Sequence, residues 1–357
     1  MSVLLRVVLD QLVTVVDPDQ AAASLDLTAG LVLTAPRGCA VSAIAPVGAE
    51  VPIAGVEEVR TLAMGRRELA ASWPLGFAPG VGGGLVHAPT LMAPLVRHDR
   101  VHDGDQTIVT LWDLGAWDAP DRYSKTSVAW QKGMLRRAAK HADAIVVPSH
   151  AMAQRLAEIG SFGDRIRVIA GAPPERFAAP ADAAPRRGAL LLPERYAVVV
   201  GDRSSLSAGF AAAVAAGLDA VVIDAPEGAE PAIVEIASAA GMPERRVHVR
   251  GTLDVPDRAA VLAGAAAVLA TSTSDAWPWR IIEAMVLGVP VVAASSGVHR
   301  DVVADGGLVA APEDFTEAAV AAAGSEANKL RVLASDRAKA FSWASSAERV
   351  WALHAEL

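Results

Sequence analysis

The sequence has a single cysteine, Cys39, so no intrachain disulfide can staple the fold, and such sparing use of cysteine fits a reducing compartment such as the cytoplasm. Aromatic residues make up only 4% and charged residues 20%. Positive charge is not in excess. The net charge of −8 argues against broad nucleic-acid binding. A long, uninterrupted apolar run is also missing. The opening MSVLLRVVLDQL carries Arg6 and Asp10 and lacks a signal-peptide layout, so neither a leader nor a membrane span is expected. What is plentiful is small and apolar: hydrophobic residues reach 52%, chiefly Ala and Val, and the mean hydropathy is +0.33. That excludes a disordered, collagen-like or disulfide-scaffold chain. The 357 residues suffice for two domains with extensive Ala/Val cores.

Short Val/Ile/Leu runs alternate with Ala-rich stretches. The runs at 4–9, 40–44, 84–87, 107–111, 144–147 and 166–169 read as one set of strands. Those at 196–200, 220–223, 247–249, 267–270 and 289–293 read as a second. Continuous apolar runs separated by helical segments predict buried parallel strands in βαβ units. Residues 173–195 are rich in Pro and Ala and read as a linker that resists helix and interior strand. The expected domains are therefore 1–172 and 173–340, with a final helix at 341–357 returning to the first.

The most informative stretch is LATSTSDAWPWRIIEAMVLGVPVV, residues 269–292. A strand ends, a polar loop follows, and a helix carrying Glu283 stops near Gly288 before Pro290. Asp275 and Glu283, seven residues apart in between, fall where open α/β sheets bind ligands. The stretch resembles the donor-site signature of family 4 glycosyltransferases of the GT-B fold, in Glu283-Ala284-Met285 and Gly288-Val289-Pro290-Val291-Val292. Asp275 stands at the first Glu position, and Ala276-Trp277-Pro278 replaces the usual Gly-Phe-Gly. Further segments resemble the family in order: Val86-His87-Ala88-Pro89-Thr90, Thr110-Leu111-Trp112-Asp113, Val146-Val147-Pro148-Ser149, Val247-His248-Val249-Arg250-Gly251, Asp305-Gly306-Gly307 and Phe341-Ser342-Trp343. The likeness spans roughly residues 84–350.

The resemblance implies an α/β GT-B fold, with two doubly wound Rossmann-like domains facing a central cleft. It implies a hexosyltransferase, leaning to the actinobacterial mannosyl- and rhamnosyl-transferring type, that moves a sugar from a nucleotide diphosphate to a saccharide or glycolipid. Retention of configuration and independence from metal or cofactor go with it. Glu283 would hold the ribose and Asp275 the sugar, since carboxylates accept bonds from hydroxyl pairs. Gly201, Arg203, Arg250, Ser296, Gly297 and Trp277 would line the donor, and His87 and Asp113 would face the acceptor. Three positions depart from the pattern. Asp202-Arg203-Ser204 replaces the Arg-Lys pair for the diphosphate, Trp112 replaces a His, and Val16-Asp17-Pro18-Asp19-Gln20 replaces a Gly-rich turn. They motivate the alternative of a catalytically degenerate GT-B-like protein that binds or scaffolds a partner transferase.

Each singled-out residue also has a structural reading. Glu283 could be solvent-facing, Asp275 a helix cap, His87 a packed imidazole and Asp113 a turn former. Asp103-Gly104-Asp105 reads as a turn rather than a metal site, and Gly80 to Gly84 as a flexible entry to a strand. The cations from Lys132 to Lys140 share a helix face that is either solvated or meets an anionic membrane. Trp112, Trp117, Trp277 and Trp279 fall in candidate site loops; Trp73, Trp130, Trp343 and Trp351 are expected to be structural.

Overall fold

The computed structural model describes residues 3–98 and 104–357. The chain divides into two compact units: Met1–Ala172 with Ser274–Trp277 and Phe341–Leu357, and Pro173–Thr273 with Pro278–Ala340.

The first unit holds seven parallel strands: β1 (Val3–Val8), β2 (Cys39–Ala45), β3 (Glu58–Thr61), β4 (Leu85–Ala88), β5 (Gln106–Thr110), β6 (Ala144–Val147) and β7 (Ile166–Val168). Their order is β3-β2-β1-β4-β5-β6-β7. The register sets Val7 beside both Ala43 and His87, and Val109 beside Ile145. The Pro18–Leu33 helix starts where Asp17 accepts from the Asp19 and Gln20 amides, with Pro18 pre-set for the first turn. The C-terminal Trp343–Glu356 helix packs on it: a Cβ at Gly30 would lie 2.8 Å from the Trp343 carbonyl oxygen, and Trp351 Nε1 donates to the Leu31 carbonyl at 3.1 Å.

The second unit holds β8 (Tyr196–Val200), β9 (Asp219–Val222), β10 (Val247–Val249), β11 (Ala267–Ala270), β12 (Val291–Ala294) and β13 (Leu308–Ala310), all parallel and ordered β10-β9-β8-β11-β12-β13. Phe210, Leu218, Ile233 and Phe315 fill its core against Ala and Val from the strands. Both sheets are doubly wound. The strand order reverses at β1/β4 and again at β8/β11, where ligands of open α/β sheets bind.

Two expectations are corrected. The stretch 173–195 contains a helix, Ala183–Ala189, because its prolines cluster before and within the first turns and leave RRGA to continue. Strands β3 and β13 were not expected. β3 is polar and mostly exposed at the sheet edge, and β13 has only three residues, so neither presents an apolar run. Among the described residues no helix is long and apolar enough to cross a membrane.

His87 on β4 and His354 on the C-terminal helix lie 6.1 Å apart, edge to face. Burial pushes both imidazoles down to about 3, with His354 adding repulsion at His87. Unfolded histidine titrates near about 6.5. The unfolded chain therefore gains protons first, so stability is full above that pH and falls as pH drops toward about 3. Each histidine should contribute a loss on the order of 2 kcal/mol by about pH 5. Urea midpoints at neutral pH and near pH 5 measure this. His354→Phe should flatten the dependence, and an unchanged slope would contradict the assignment.

Candidate functional site

At the β1/β4 switch point the strand ends carry Asp10 and Thr90. Thr90 Oγ1 donates to Asp10 at 2.9 Å, and Arg66 Nε donates to the other oxygen at 2.8 Å. Burial raises the Asp10 pKa, and Arg66 and Thr90 oppose that shift. Above them opens a pocket of about 720 Å³. Trp112 and Trp130 supply aromatic surface, and Asp17, Gln20, Asp113 and Tyr123 supply polar groups. Gln20 Nε2 reaches Asp17 at 3.0 Å and Asp113 at 3.5 Å, so one amide spans two carboxylates. Asp113 also accepts from the Gly115 amide at 3.1 Å, so its turn-forming role and its place in the pocket coexist.

Both carboxyls are shifted upward, chiefly by burial. Gly115, Tyr123 and Gln20 partly offset the shift at Asp113, while Asp19 and Asp113 add to it at Asp17. Burial and the nearby Asp113 push the Tyr123 phenol up to about 12, so it remains a hydrogen-bond donor. Aromatic faces beside acceptor-rich carboxylates suit a polyhydroxylated ring, whose hydroxyls donate and whose C–H face packs on indole.

The loop bearing Asp275 belongs to this unit. Asp113 and Ala276 form an antiparallel bridge. The Leu114 amide donates to the Asp275 carbonyl and the Trp277 amide to the Trp112 carbonyl, both at 2.9 Å. Asp113 and Asp275, 162 positions apart in sequence, are thus brought together along the backbone. The Asp275 carboxyl is shifted upward by burial and by Asp118. It does not cap the next helix, whose N-cap is Pro278 without a side-chain bond.

Three expectations change here. His87 does not reach the pocket. It is fully buried and packed on His354, and Thr110 Oγ1 approaches its Nε2 at 3.4 Å. The imidazole on the acceptor side is therefore ruled out, because the β4 pleat turns His87 toward the C-terminal helix. Trp277 is 4% exposed and packs on Phe341, and Gly171 admits it because a Cβ there would lie 2.7 Å from its Nε1. It supports the loop rather than lining open donor space. Trp130, expected to be structural, lines the pocket while its Nε1 donates to the Ala70 carbonyl at 2.8 Å.

In the second unit the β8/β11 switch point carries Gly201 and Thr271. Thr271 Oγ1 donates to Ser205 at 3.0 Å, and Ser272 Oγ to Asp202 at 2.9 Å. A side chain at Gly201 would collide with the Thr271 and Ser205 hydroxyls. Arg203 is exposed. Arg250 donates through Nε to the Leu190 carbonyl at 3.1 Å and through Nη1 to the Val249 carbonyl at 2.7 Å. Ser296 caps the Gly297–Val303 helix by accepting from the His299 amide at 3.0 Å.

Glu283 lies on the Trp279–Val286 helix, which ends at Gly288 with φ +64°. Its carboxylate is 1% exposed, which excludes the solvent-facing reading. Arg258 donates through Nε at 3.1 Å and Nη2 at 2.9 Å, and Arg280 through Nη1 at 3.0 Å. Arg280 Nε in turn holds Asp224 at 2.7 Å. Motif reading missed both arginines. Arg280, three residues before Glu283, was visible as a same-face partner; Arg258 comes from another helix, Val255–Gly264, and was not. Asp105 accepts from the Gly84 amide, and Asp103 lies outside the described residues. Among the described residues no group of three or more His, Cys, Asp or Glu is placed to hold a metal.

Residues 205–325 match the family model of glycosyl transferases group 1. Over nearly the whole chain the structure is similar to sucrose-phosphate synthase from Thermosynechococcus elongatus, at 19% identity over 99% of this chain and 98% of that one, with a TM-score of 0.67. It is similar to Anabaena HepE in complex with UDP and glucose, at 17% identity over 99% and 100%, TM-score 0.66. It is also similar to AviGT4, a glycosyltransferase involved in avilamycin A biosynthesis, at 18% identity over 99% and 98%, TM-score 0.62. The fold is that of the GT-B glycosyltransferases. Comparison with curated protein sequences finds no match.

Within this GT-B chain the Glu283 cluster should be a stability determinant. Glu283→Ala takes the carboxylate from buried Arg258 and leaves Arg280 with Asp224 alone, and should cost about 3–5 kcal/mol in chemical denaturation. A loss below about 1 kcal/mol, the value of an exposed pair, would show that the cluster is solvated in solution.

Proposed function

We propose that this chain is a glycosyltransferase that moves a hexose from a nucleotide-diphosphate sugar to a saccharide or glycolipid acceptor. The observation that carries the reading is the group 1 glycosyl transferase match over residues 205–325, the part of the chain that holds Glu283. HepE, a structural neighbour, is described in complex with UDP-glucose. The donor would sit at the carboxyl ends of β8 and β11, and the acceptor in the Trp112/Trp130 pocket. Asp113 would accept a hydrogen bond from the attacking hydroxyl, and Asp275 from hydroxyls of the transferred sugar. Arg203 would face the diphosphate, helped by the Gly297 backbone. Glu283 would reach the ribose only by yielding part of its hold on Arg258 and Arg280. Retention of configuration and metal-independent chemistry complete the proposal.

A second reading, a degenerate GT-B protein that serves a partner transferase, is favoured by one observation. The carboxylate in the ribose position is sequestered by two arginines. Calorimetry with UDP, GDP, dTDP and their sugars separates the two. Binding of one nucleotide in the micromolar range, weakened at least about tenfold by Arg203→Ala through loss of a charge-assisted bond, is expected for the transferase. No heat with any nucleotide at millimolar concentration supports the scaffold.

A further inference from the structure

The pocket at the β1/β4 switch point holds negative charge that no described residue answers. Arg66 and Arg67 are the cations on its wall; Arg66 is engaged by Asp10 at 2.8 Å, and Arg67 is exposed. Asp17 and Asp113 form no ion pair among the described residues, and no cation offsets the effect of burial at either carboxyl. Each has one oxygen, Oδ2, that faces the Gln20 amide, at 3.0 Å from Asp17 and 3.5 Å from Asp113. A carboxylate oxygen has room for about two hydrogen bonds, so both Oδ2 atoms retain an acceptor position. Two acidic oxygens therefore converge on one small volume, where the donor between them is a neutral nitrogen.

Convergent carboxylates alone do not mark a ligand. A second observation does. Gln11 is 6% exposed and lines the same pocket. Its Oε1 accepts from the Val16 and Asp17 amides at 2.8 and 2.9 Å, which fixes the orientation of the side-chain amide. The Nε2 end has no partner among the described residues, and a buried donor left unmade is costly unless a bound group completes it. Because Gln11 grips the Asp17 backbone, this free donor and the Asp17 acceptor are held side by side. Trp112, Trp130 and Tyr123 add aromatic faces, which receive both the C–H face of a sugar ring and a cation.

The chemistry of the pocket separates its possible occupants. An anion would meet Asp17 and Asp113 with Arg66 already engaged. A metal ion asks for about six oxygen ligands, and among the described residues no group of three or more His, Cys, Asp or Glu is placed to hold one. A neutral sugar would satisfy the acceptors and leave both charges uncompensated. An ammonium group supplies N–H donors and the missing charge together.

We propose that the acceptor is an amino sugar, whose protonated primary amine bonds Asp17 Oδ2 and Asp113 Oδ2 while Gln11 Nε2 donates to a ring hydroxyl. The inference rests on reading this pocket as the acceptor site. It adds a specificity role for Asp17 and Gln11, and it sets the hydroxyl beside the amine next to Asp113, where the attacking hydroxyl is placed.

Ligand-observed NMR titrations of the full chain, without nucleotide, test it with glucosamine, glucose, N-acetylglucosamine and glucuronic acid. At about pH 7 an amine of this kind is mostly protonated. Glucosamine is expected to bind about tenfold or more tighter than glucose, the value of charge-assisted hydrogen bonding. N-acetylglucosamine, which keeps the nitrogen and loses the charge, should fall back to the glucose value. Asp17→Asn should remove about tenfold from glucosamine and less than about twofold from glucose. Asparagine also caps helices, so the start of the Pro18–Leu33 helix is kept. If this variant melts early, glucosamine against N-acetylglucosamine on the wild-type chain decides alone. Equal binding of glucosamine and glucose, tighter binding of glucuronic acid, no binding of any of these sugars, or a preference untouched by Asp17→Asn would overturn the proposal. The titrations need neither nucleotide nor turnover. An amine preference without transfer would count against the transferase reading alone, and transfer to neutral sugars without the preference would count against this inference alone.

Discussion

The candidate acceptor pocket depends on how Trp112 is held. Its Nε1 donates to the Pro89 carbonyl at 2.7 Å, and its ring meets Trp343 edge to face at 6.3 Å. Its outer edge lies where a Cβ on Gly171 would come within 2.9 Å. One buried indole thereby joins the end of β4, the end of β5, the chain leaving the first sheet and the C-terminal helix. The backbone on either side of it then takes a fixed course. Asp113 is presented to the pocket, and its bridge to Ala276 brings the Asp275 loop alongside. A histidine at this position would fill less of the space against Trp343 and offer a different donor geometry. Trp112, which stands where the resembled pattern has a His, is therefore a packing solution, and Asp113, Asp17 and Gln20 supply the polar groups of the pocket.

The second unit shows a comparable exchange. The carboxylate expected to greet a ribose is enclosed by Arg258 and Arg280, and Arg280 extends the chain of charges to Asp224 at the end of β9. Two positive and two negative groups balance, so burial is tolerated where an isolated Glu283 would be forced to protonate. The cluster ties three segments, the Val255–Gly264 helix, the Trp279–Val286 helix and the turn after β9, into one rigid surface at the strand ends. The segment after Gly201, with Arg203 as its single cation, and the internal arginines around Glu283 lie in the same unit.

Much of the fold was legible because buried parallel strands leave continuous apolar runs. Residues 144–147, 196–200, 247–249 and 267–270 match observed strands to the residue, and the other runs shift by one or two positions. β3 escaped because an exposed edge strand needs no apolar run, and the Ala183–Ala189 helix because proline density masked it. The site was less legible. Asp113 and Asp275 stand out by motif, yet nothing local pairs Asp113 with Gln20 and Tyr123 or sets Trp130 in the same pocket; the fold brings them together. His87 illustrates the limit most clearly. Its His-x-Pro setting pointed to chemistry, while a one-residue alternation on β4 decided that it faces His354 instead.

The proposed acceptor site in the Trp112/Trp130 pocket, next to Asp113, is open to a kinetic test. Steady-state transfer from whichever nucleotide sugar binds is compared between the wild-type chain and Asp113→Asn. In Asp113→Asn, kcat/KM for the acceptor should fall by about tenfold or more, the value of one charge-assisted hydrogen bond, with the donor KM unchanged. Unaltered acceptor kinetics in Asp113→Asn, or a loss confined to the donor KM, would contradict it.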